Sequence, residues 1–308
     1  MVMENYGEKL KKILLATGWS QEFLAGKLGV SFVSLNSWIN QKSEPRDRTK
    51  QRIDVVAVEV LGADTVDEAI LGALKTKALA TRCSVNKLLN NRELLEKLTT
   101  SLTYHNNATE GSTMTEADVA AVIFDNQSLR NRTAIEQREA INHQAALYFL
   151  LDELARQKAD FKFTPDLIRV VHLRMMNGII ADAGMYRNHA VRIHGAFVPL
   201  ANFIKIPELV ENWCNLVNSE TRDGVQLLAS SHAAFEKIHP FSDGNGRTGR
   251  LLLFILALKL NLAPPILKKD FHLAYYKYLE LAQMREETDP LELFIAKAIL
   301  DSADIIAG

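Results

Sequence analysis

The chain has 308 residues, 47% hydrophobic and 24% charged, with a formal net charge of −1 at pH 7. That balance excludes a global electrostatic pull toward nucleic acid or membrane. Only Cys83 and Cys214 occur, and the longest apolar run is Leu251–Leu258, so neither a disulfide framework nor a membrane span is expected.

Such a length predicts about two or three domains around a sizeable core. The opening MVMENYGEKLKK lacks the apolar core of a signal peptide, so a cytoplasmic protein with no membrane partner is expected. Between Pro45 and Pro165 there is no proline and helix formers dominate, which predicts an all-α fold class.

Residues 6–40 read as a first helical unit. Gly7–Thr17 carries Leu10, Ile13 and Leu14 on one face. Ser20 is placed to cap a short helix with Phe23, Leu24 and Leu28; Gly29 ends it, and Ser31 caps another with Leu35, Trp38 and Ile39. This helix, glycine turn and helix suit a helix-turn-helix. The run Gln21-Glu-Phe-Leu-Ala-Gly-Lys-Leu-Gly29, then Val30-Ser-Phe-Val-Ser-Leu-Asn-Ser-Trp-Ile39, resembles the phage-repressor (Cro/C1) family over about residues 5–60. The resemblance implies that Gln21 and Ser31 touch DNA phosphates, while Phe32, Val33 and Asn36 face the major groove. Phe32 and Val33 are weaker base readers than Arg, Gln or Asn. Contacts are therefore expected mainly to phosphates, helped by Lys42, Arg46, Arg48, Lys50 and Arg52. A protein-docking role stands beside the DNA-binding one. Repressors of this kind often dimerise to match a two-fold operator, which makes a homodimer a candidate assembly.

Residues 60–100 read as connecting helices with breaks at Gly62 and Gly72, and with Ala69, Leu71, Leu74 and Leu79 in the core. A further helix begins over Glu93–Leu98 and leads into Tyr104-His-Asn-Asn-Ala-Thr-Glu-Gly-Ser-Thr-Met114. Taken alone, Glu110-Gly111 is a helix-terminal glutamate followed by a glycine stop. Glu136–Leu154 and Pro165–Asn177 read as helices whose His143, His172 and Arg174 suit satisfied helix positions better than ligand positions. Strand-like alternation is confined mostly to Val191–Val198, where Val191 and Ile193 precede Gly195 as in a small hairpin.

The chemistry concentrates in His239-Pro-Phe-Ser-Asp-Gly-Asn-Gly-Arg-Thr-Gly-Arg250. Val225, Leu228, His232, Phe235 and His239 fall at helical spacing before it, and Arg247–Leu260 reads as an apolar helix stopped by Pro264-Pro265. A Gly-rich turn opening a helix directs backbone N–H groups and a positive helix end at one spot, a nest suited to phosphate. His239 titrates near neutrality and can take a proton from a hydroxyl. Asp243 is a hard oxygen ligand for Mg²⁺ against a polyphosphate. Gly244 and Gly246 permit close backbone approach, Asn245 offers a side-chain donor, and Arg247 and Arg250 offer planar forks to phosphate oxygens. No GxxxxGK[ST] occurs, which removes a P-loop enzyme.

The same string resembles the Fic signature HPFx[D/E]GNGRxxR, matched by His239, Pro240, Phe241, Asp243, Gly244, Asn245, Gly246, Arg247 and Arg250. The resemblance implies an all-helical core over about residues 110–300 that transfers AMP from ATP to a Ser, Thr or Tyr hydroxyl of a target protein. It implies His239 as base, Asp243 on Mg²⁺, and Phe241, Gly244, Asn245, Gly246, Arg247 and Arg250 around the nucleotide. Tyr104–Met114 then resembles the inhibitory motif [S/T]xxxE[G/N] of that family, with Asn106 where Ser or Thr is usual and Glu110 expected to pair with Arg250. The hairpin resembles the flap that docks an extended target segment, implying roles for Arg192, Ile193, His194 and Gly195.

The expected architecture is thus all-α, a Fic-type helical core with a small β-hairpin flap and an N-terminal helix-turn-helix domain. The expected divisions are residues 1–60, a connector with the inhibitory helix over 61–109, and the Fic domain over 110–308. Two other readings stay open, a DNA-binding regulator whose Fic domain senses nucleotide and a transferase of another phosphate-bearing group.

Overall fold

The computed structural model describes residues 5–62, 66–192, 198–219 and 223–307. In chain order the helices begin with α1 (Tyr6–Thr17), α2 (Gln21–Leu28), α3 (Phe32–Ile39), α4 (Asp47–Leu61), α5 (Glu68–Ala80), α6 (Val85–Leu89) and α7 (Arg92–Thr109). They continue with α8 (Glu116–Ile123), α9 (Ala134–Gln157), α10 (Pro165–Met176), α11 (Ile206–Asn218), α12 (Gly224–Ile238), α13 (Asn245–Lys259), α14 (His272–Arg285) and α15 (Asp289–Ala307). Among the described residues there is no strand, and the fold class is all-α. Residues 193–197, which hold most of the expected hairpin, lie outside the described residues. No described helix is long and apolar enough to cross a membrane.

The chain divides into two compact units, residues 1–74 with 270–294 and residues 75–269 with 295–308. In the first, Leu10, Ile13, Leu24, Leu28, Leu35 and Ile53 are wholly buried, so the apolar face of each of α1 to α4 meets the others. Each such side chain contributes about 1.5–3 kcal/mol through area removed from water. Ser20 Oγ accepts from Phe23 N at 3.1 Å and Ser31 Oγ from Ser34 N at 3.1 Å, the caps that the sequence predicts. Gly29 closes α2 with φ +64, and Arg52 donates to Leu28 O at 3.0 Å over the same helix end. Arg52 therefore also caps α2. Gly72 does not break a helix; it lies inside α5, whose Leu71 and Ala78 are buried. Burial of the neighbours outweighs the glycine's cost of about 1 kcal/mol.

The second unit is arranged around α13, whose residues Leu251–Leu258 are all buried. A helix apolar on every side must be surrounded, and α7, α9, α10 and α12 pack against it. Trp213 of α11 meets Phe163 and Phe235 edge-on and donates from Nε1 to Ser231 O at 2.8 Å. Capping boxes open α8 (Thr115, Asp118) and α9 (Thr133, Glu136). Glu136 also accepts from Thr113 N at 2.7 Å, and these hydrogen bonds hold its carboxyl down to about 2. That bond ties the loop after α7 to the start of α9. The end of α7 is thereby fixed beside α13, which sets the geometry of the site.

Candidate active site

α12 ends at Ile238, and His239 follows as its C-cap with φ +50, a left-handed conformation uncommon for a residue with a side chain. Several bonds hold it there. His239 N donates to Phe235 O at 3.0 Å, and Arg187 Nε donates to His239 O at 2.7 Å. Arg187 is buried and also donates to His189 O at 2.8 Å and Ala201 O at 2.6 Å, so one guanidinium joins the His239 turn to residues 189 and 201. Nδ1 of His239 lies 3.2 Å from Glu236 O. A carbonyl only accepts, so Nδ1 carries the proton and Nε2 keeps its lone pair. Burial, then the Arg187 charge, depresses the imidazole's pKa, while the Glu236 carbonyl opposes this. A neutral, oriented imidazole results.

The turn after His239 is braced from below. Phe241 is fully buried and stacks on His172 with ring centroids 3.6 Å apart. His172 Nδ1 accepts from Gly184 N at 2.8 Å, so its Nε2 donates to Asp243 O at 2.9 Å. Burial pushes this imidazole down to about 4, which keeps that tautomer at neutral pH. The Asn245 amide accepts from Phe241 N at 2.9 Å and donates to Phe241 O at 2.8 Å. Here the structure corrects the sequence reading. The side chain expected to offer a donor to an anion is engaged with the turn at both its oxygen and its nitrogen.

Gly244 takes φ +75 at the start of α13 with no side-chain cap, so the first-turn N–H groups are left without an intrahelical partner. A Cβ on Gly244 would come within 2.6 Å of Met176 Sδ, and one on Gly246 within 2.5 Å of Glu110 Oε1. The Asp243 side chain is largely exposed; one oxygen accepts from Gly244 N at 2.6 Å and the other lies 3.3 Å from Arg247. Arg247 is buried and paired with Glu139 of α9, and its Nε has no hydrogen-bond partner. Arg250 turns elsewhere, donating from Nε to Asn106 Oδ1 at 2.7 Å and from Nη2 to Glu110 Oε1 at 2.5 Å.

Glu110 is the C-cap of α7. Burial raises its pKa, but Arg250 first, then Arg247 and His239, outweigh burial and hold it below the usual carboxylate range. Asn106 satisfies its whole amide, donating to His143 Nε2 at 2.8 Å and Arg247 O at 3.0 Å while accepting from Arg250. His143 is pushed down to about 3 by burial and so donates through Nδ1 to Thr103 at 2.9 Å. This neutral imidazole holds the amide that aims Arg250.

Of the expected flap residues, Arg192 is exposed, while Ile193, His194 and Gly195 lie outside the described residues. In the first unit Gln21 opens α2 half-buried, and Ser31 Oγ is 2.9 Å from Ser34 Oγ as well as capping α3. Phe32 and Val33 are exposed at 43% and 75%, and the Asn36 side chain is held by Asn40 Nδ2 at 2.8 Å.

Residues 162–257, which contain the turn and both arginines, match the model of the Fic/DOC family. The chain carries a Fic/DOC domain. Residues 10–53 match a helix-turn-helix family. The chain is 29% identical over 204 residues to the protein adenylyltransferase Fic of Culex quinquefasciatus, covering 66% of this chain and 40% of that protein. It is 30% identical over 197 residues to protein adenylyltransferase fic-1 of Caenorhabditis elegans, covering 63% and 38%. The chain thus spans about two fifths of the length of these relatives. Fic-1 (residues 134–508) of C. elegans superposes with a TM-score of 0.67 at 22% identity, covering 97% of this chain and 98% of that one. A Fic domain-containing signaling protein of Bacteroides thetaiotaomicron gives 0.64 at 19% identity, covering 77% and 96%. These two are likenesses of fold.

The turn fits a phosphate group. Its helix start is uncapped, Gly246 leaves room that a Cβ would fill, and a carboxylate oxygen of Glu110 already sits there, standing in for a phosphate oxygen. Among the described residues no three His, Cys, Asp or Glu side chains converge as a metal cage. A Mg²⁺ here would take Asp243 as its protein ligand, with phosphate and water oxygens completing the shell, as is usual for that ion. His172, Arg187, Glu139 and Glu236 escaped sequence reasoning as members of the site. Three of them lie on separate helices, and Arg187 lies in a loop.

Proposed function

We propose that the protein is an adenylyltransferase that moves AMP from ATP to a hydroxyl of a target protein and is held silent by Glu110. The observation that carries this is His239 with Nδ1 bound to a carbonyl and Nε2 free, beside an uncapped helix start that receives a carboxylate oxygen. A target Ser, Thr or Tyr oxygen attacks the α-phosphorus as its proton passes to His239 Nε2. The bond to the β-phosphate oxygen breaks and pyrophosphate leaves. Arg247, Arg250 and the first-turn N–H groups of α13 stabilise the phosphate charge. Asp243 would hold a bound Mg²⁺, which would supply neutralisation of the polyphosphate charge.

Glu110 competes with this arrangement for Arg250 and for the space over Gly246. The adenylyltransferase names of the relatives support the reaction class. The test is to incubate the Glu110→Gly protein and a cell lysate with ATP labelled at either the α- or the γ-phosphate. Label entering protein from the α position alone is the expected result. Transfer of γ-label, or no transfer from either, sinks this reading.

The helix-turn-helix match favours DNA as a second partner. Contacts would run mainly to phosphates, so affinity would fall steeply with salt and vary little with sequence. A gel-shift salt series on unrelated duplexes measures both.

A further inference from the structure

Two carboxylates interact electrostatically with Arg250, and the proposed mechanism uses only one of them. Glu236 lies on α12, one turn before His239, and is 6% exposed. Its Oε1 finds no hydrogen-bond partner. The carboxyl rests on α13 at Gly249, where a Cβ would collide with Oε1, one residue from Arg250. An unpaired buried carboxylate is costly unless a counter-charge is near or a proton is taken up. Arg250 is the counter-charge that acts on it, and Glu110 acts against it. Among the described residues no other titratable group acts on it. His232, one turn earlier on α12, is kept neutral by burial at about 3, and α11 presents Trp213 to the adjoining Phe235.

We propose that Glu236 is a proton-linked counter-charge to Arg250, neutral while an anion occupies the guanidinium and ionised once that anion leaves. One guanidinium carries one positive charge. With Glu110 hydrogen-bonded to it, a second ionised carboxylate in the same low-dielectric space is repelled, and Glu236 takes a proton from solvent. Burial first, with Glu110 adding to it against Arg250, raises this carboxyl to about 7. Withdrawal of Glu110 removes the repulsion, Glu236 releases the proton, and its charge retains Arg250 in place. A phosphate arriving at Arg250 reverses the exchange, so its binding draws a proton from solvent. Glu236 is thus a positioning residue for Arg250. The phosphate half of this statement rests on the nucleotide reading above; the Glu110 half does not.

The two halves are tested separately. First, carboxyl ¹³C titration of Glu236, assigned by its loss in Glu236→Gln, is followed in the parent and in Glu110→Gly. The midpoint is expected to fall by about one pH unit or more without Glu110. An unchanged midpoint overturns the proposal. Second, ATP binding to Glu110→Gly is followed by calorimetry near neutral pH in buffers of different ionisation enthalpy. Net proton uptake is expected to exceed that of Glu110→Gly/Glu236→Gln. Equal uptake by the two overturns the phosphate half. A lowered midpoint without any ATP binding upholds the Glu110 half and removes the nucleotide reading instead.

Discussion

Two parts of this molecule share one plan and end with opposite properties. In α2–Gly29–α3 a left-handed glycine ends the first helix and Ser31 caps the second. In α12–turn–α13 the left-handed positions are His239 and Gly244, and the second helix starts without a cap. Ser31 Oγ accepts from Ser34 N, so the start of α3 carries a side-chain cap. Its outward residues Phe32 and Val33 carry no charge. At α13 the cap position is Gly244, which has no side chain, and the Asn245 amide beside it is turned back into the loop. The helix end is left open to an anion, and Glu110 supplies one. A helix start becomes a binding site when the protein withholds the residue that would otherwise finish it.

The largest effect should come from the residue that exists only in the open turn. In the Glu110→Gly background, His239→Ala is expected to lower transfer by roughly 10²–10⁴-fold while ATP affinity stays within error, because a general base acts in the chemical step. Rates from labelled ATP and affinities from calorimetry separate the two. Loss of ATP binding, or unchanged transfer, would contradict the assigned role.

Next comes the stability of the open turn's surroundings. Glu236, raised to about 7 from an ordinary value of 4.5, binds its proton more tightly folded than unfolded. The stability due to the neutral carboxyl is therefore complete below about 4.5 and is lost as pH rises through about 7. The loss is on the order of 3 kcal/mol. Thermal unfolding from about pH 5 to pH 8 should decline in the parent, and Glu236→Gln should flatten that part of the decline. Parallel profiles would mean that Glu236 is ionised throughout.

Removing the borrowed anion should have a smaller effect. Glu110→Gly deletes one charge-assisted pair, about 1.5–3 kcal/mol. It should therefore raise transfer about 10- to 100-fold. A variant that binds ATP but is no faster than the parent excludes inhibition by this carboxylate.

The two parts also differ in how much of each was legible. Caps, glycine stop and buried positions of α1 to α3 follow from short-range chemistry, and the structure places Ser20, Gly29, Ser31, Leu24 and Leu35 as the pattern requires. In the turn, residue types and their order were legible, and the family resemblance anticipated Glu110 beside Arg250, but the other partners were not legible. Glu139, His143 and His172 are separated by tens of residues from the arginines and the turn they touch, and a buried histidine in a helix has no signature in sequence; Glu236 is near in sequence, but its burial toward α13 is set by the packing of two helices. Asn245 was misread because an amide in a Gly-rich loop suits an anion or the loop itself, and only the fold decides. Gly72 was misread because helix propensity yields to burial of its neighbours.

The smallest effect belongs to the closed helix end. Ser31→Ala removes the hydroxyl that accepts from Ser34 N and lies 2.9 Å from Ser34 Oγ. The cost should be about 1 kcal/mol, since water replaces the cap at an exposed helix start. Amide exchange in α3 should quicken about fivefold, while exchange in α13 stays unchanged. Ser31→Asp separates the two uses of this position. A carboxylate caps as well as a hydroxyl and suits the positive helix end, so α3 should keep its protection. A negative charge at that place repels a DNA phosphate, so low-salt duplex binding should weaken. Protection kept with binding weakened would assign the closed end of α3 to DNA. Protection kept with binding intact would leave Ser31 a cap and nothing more.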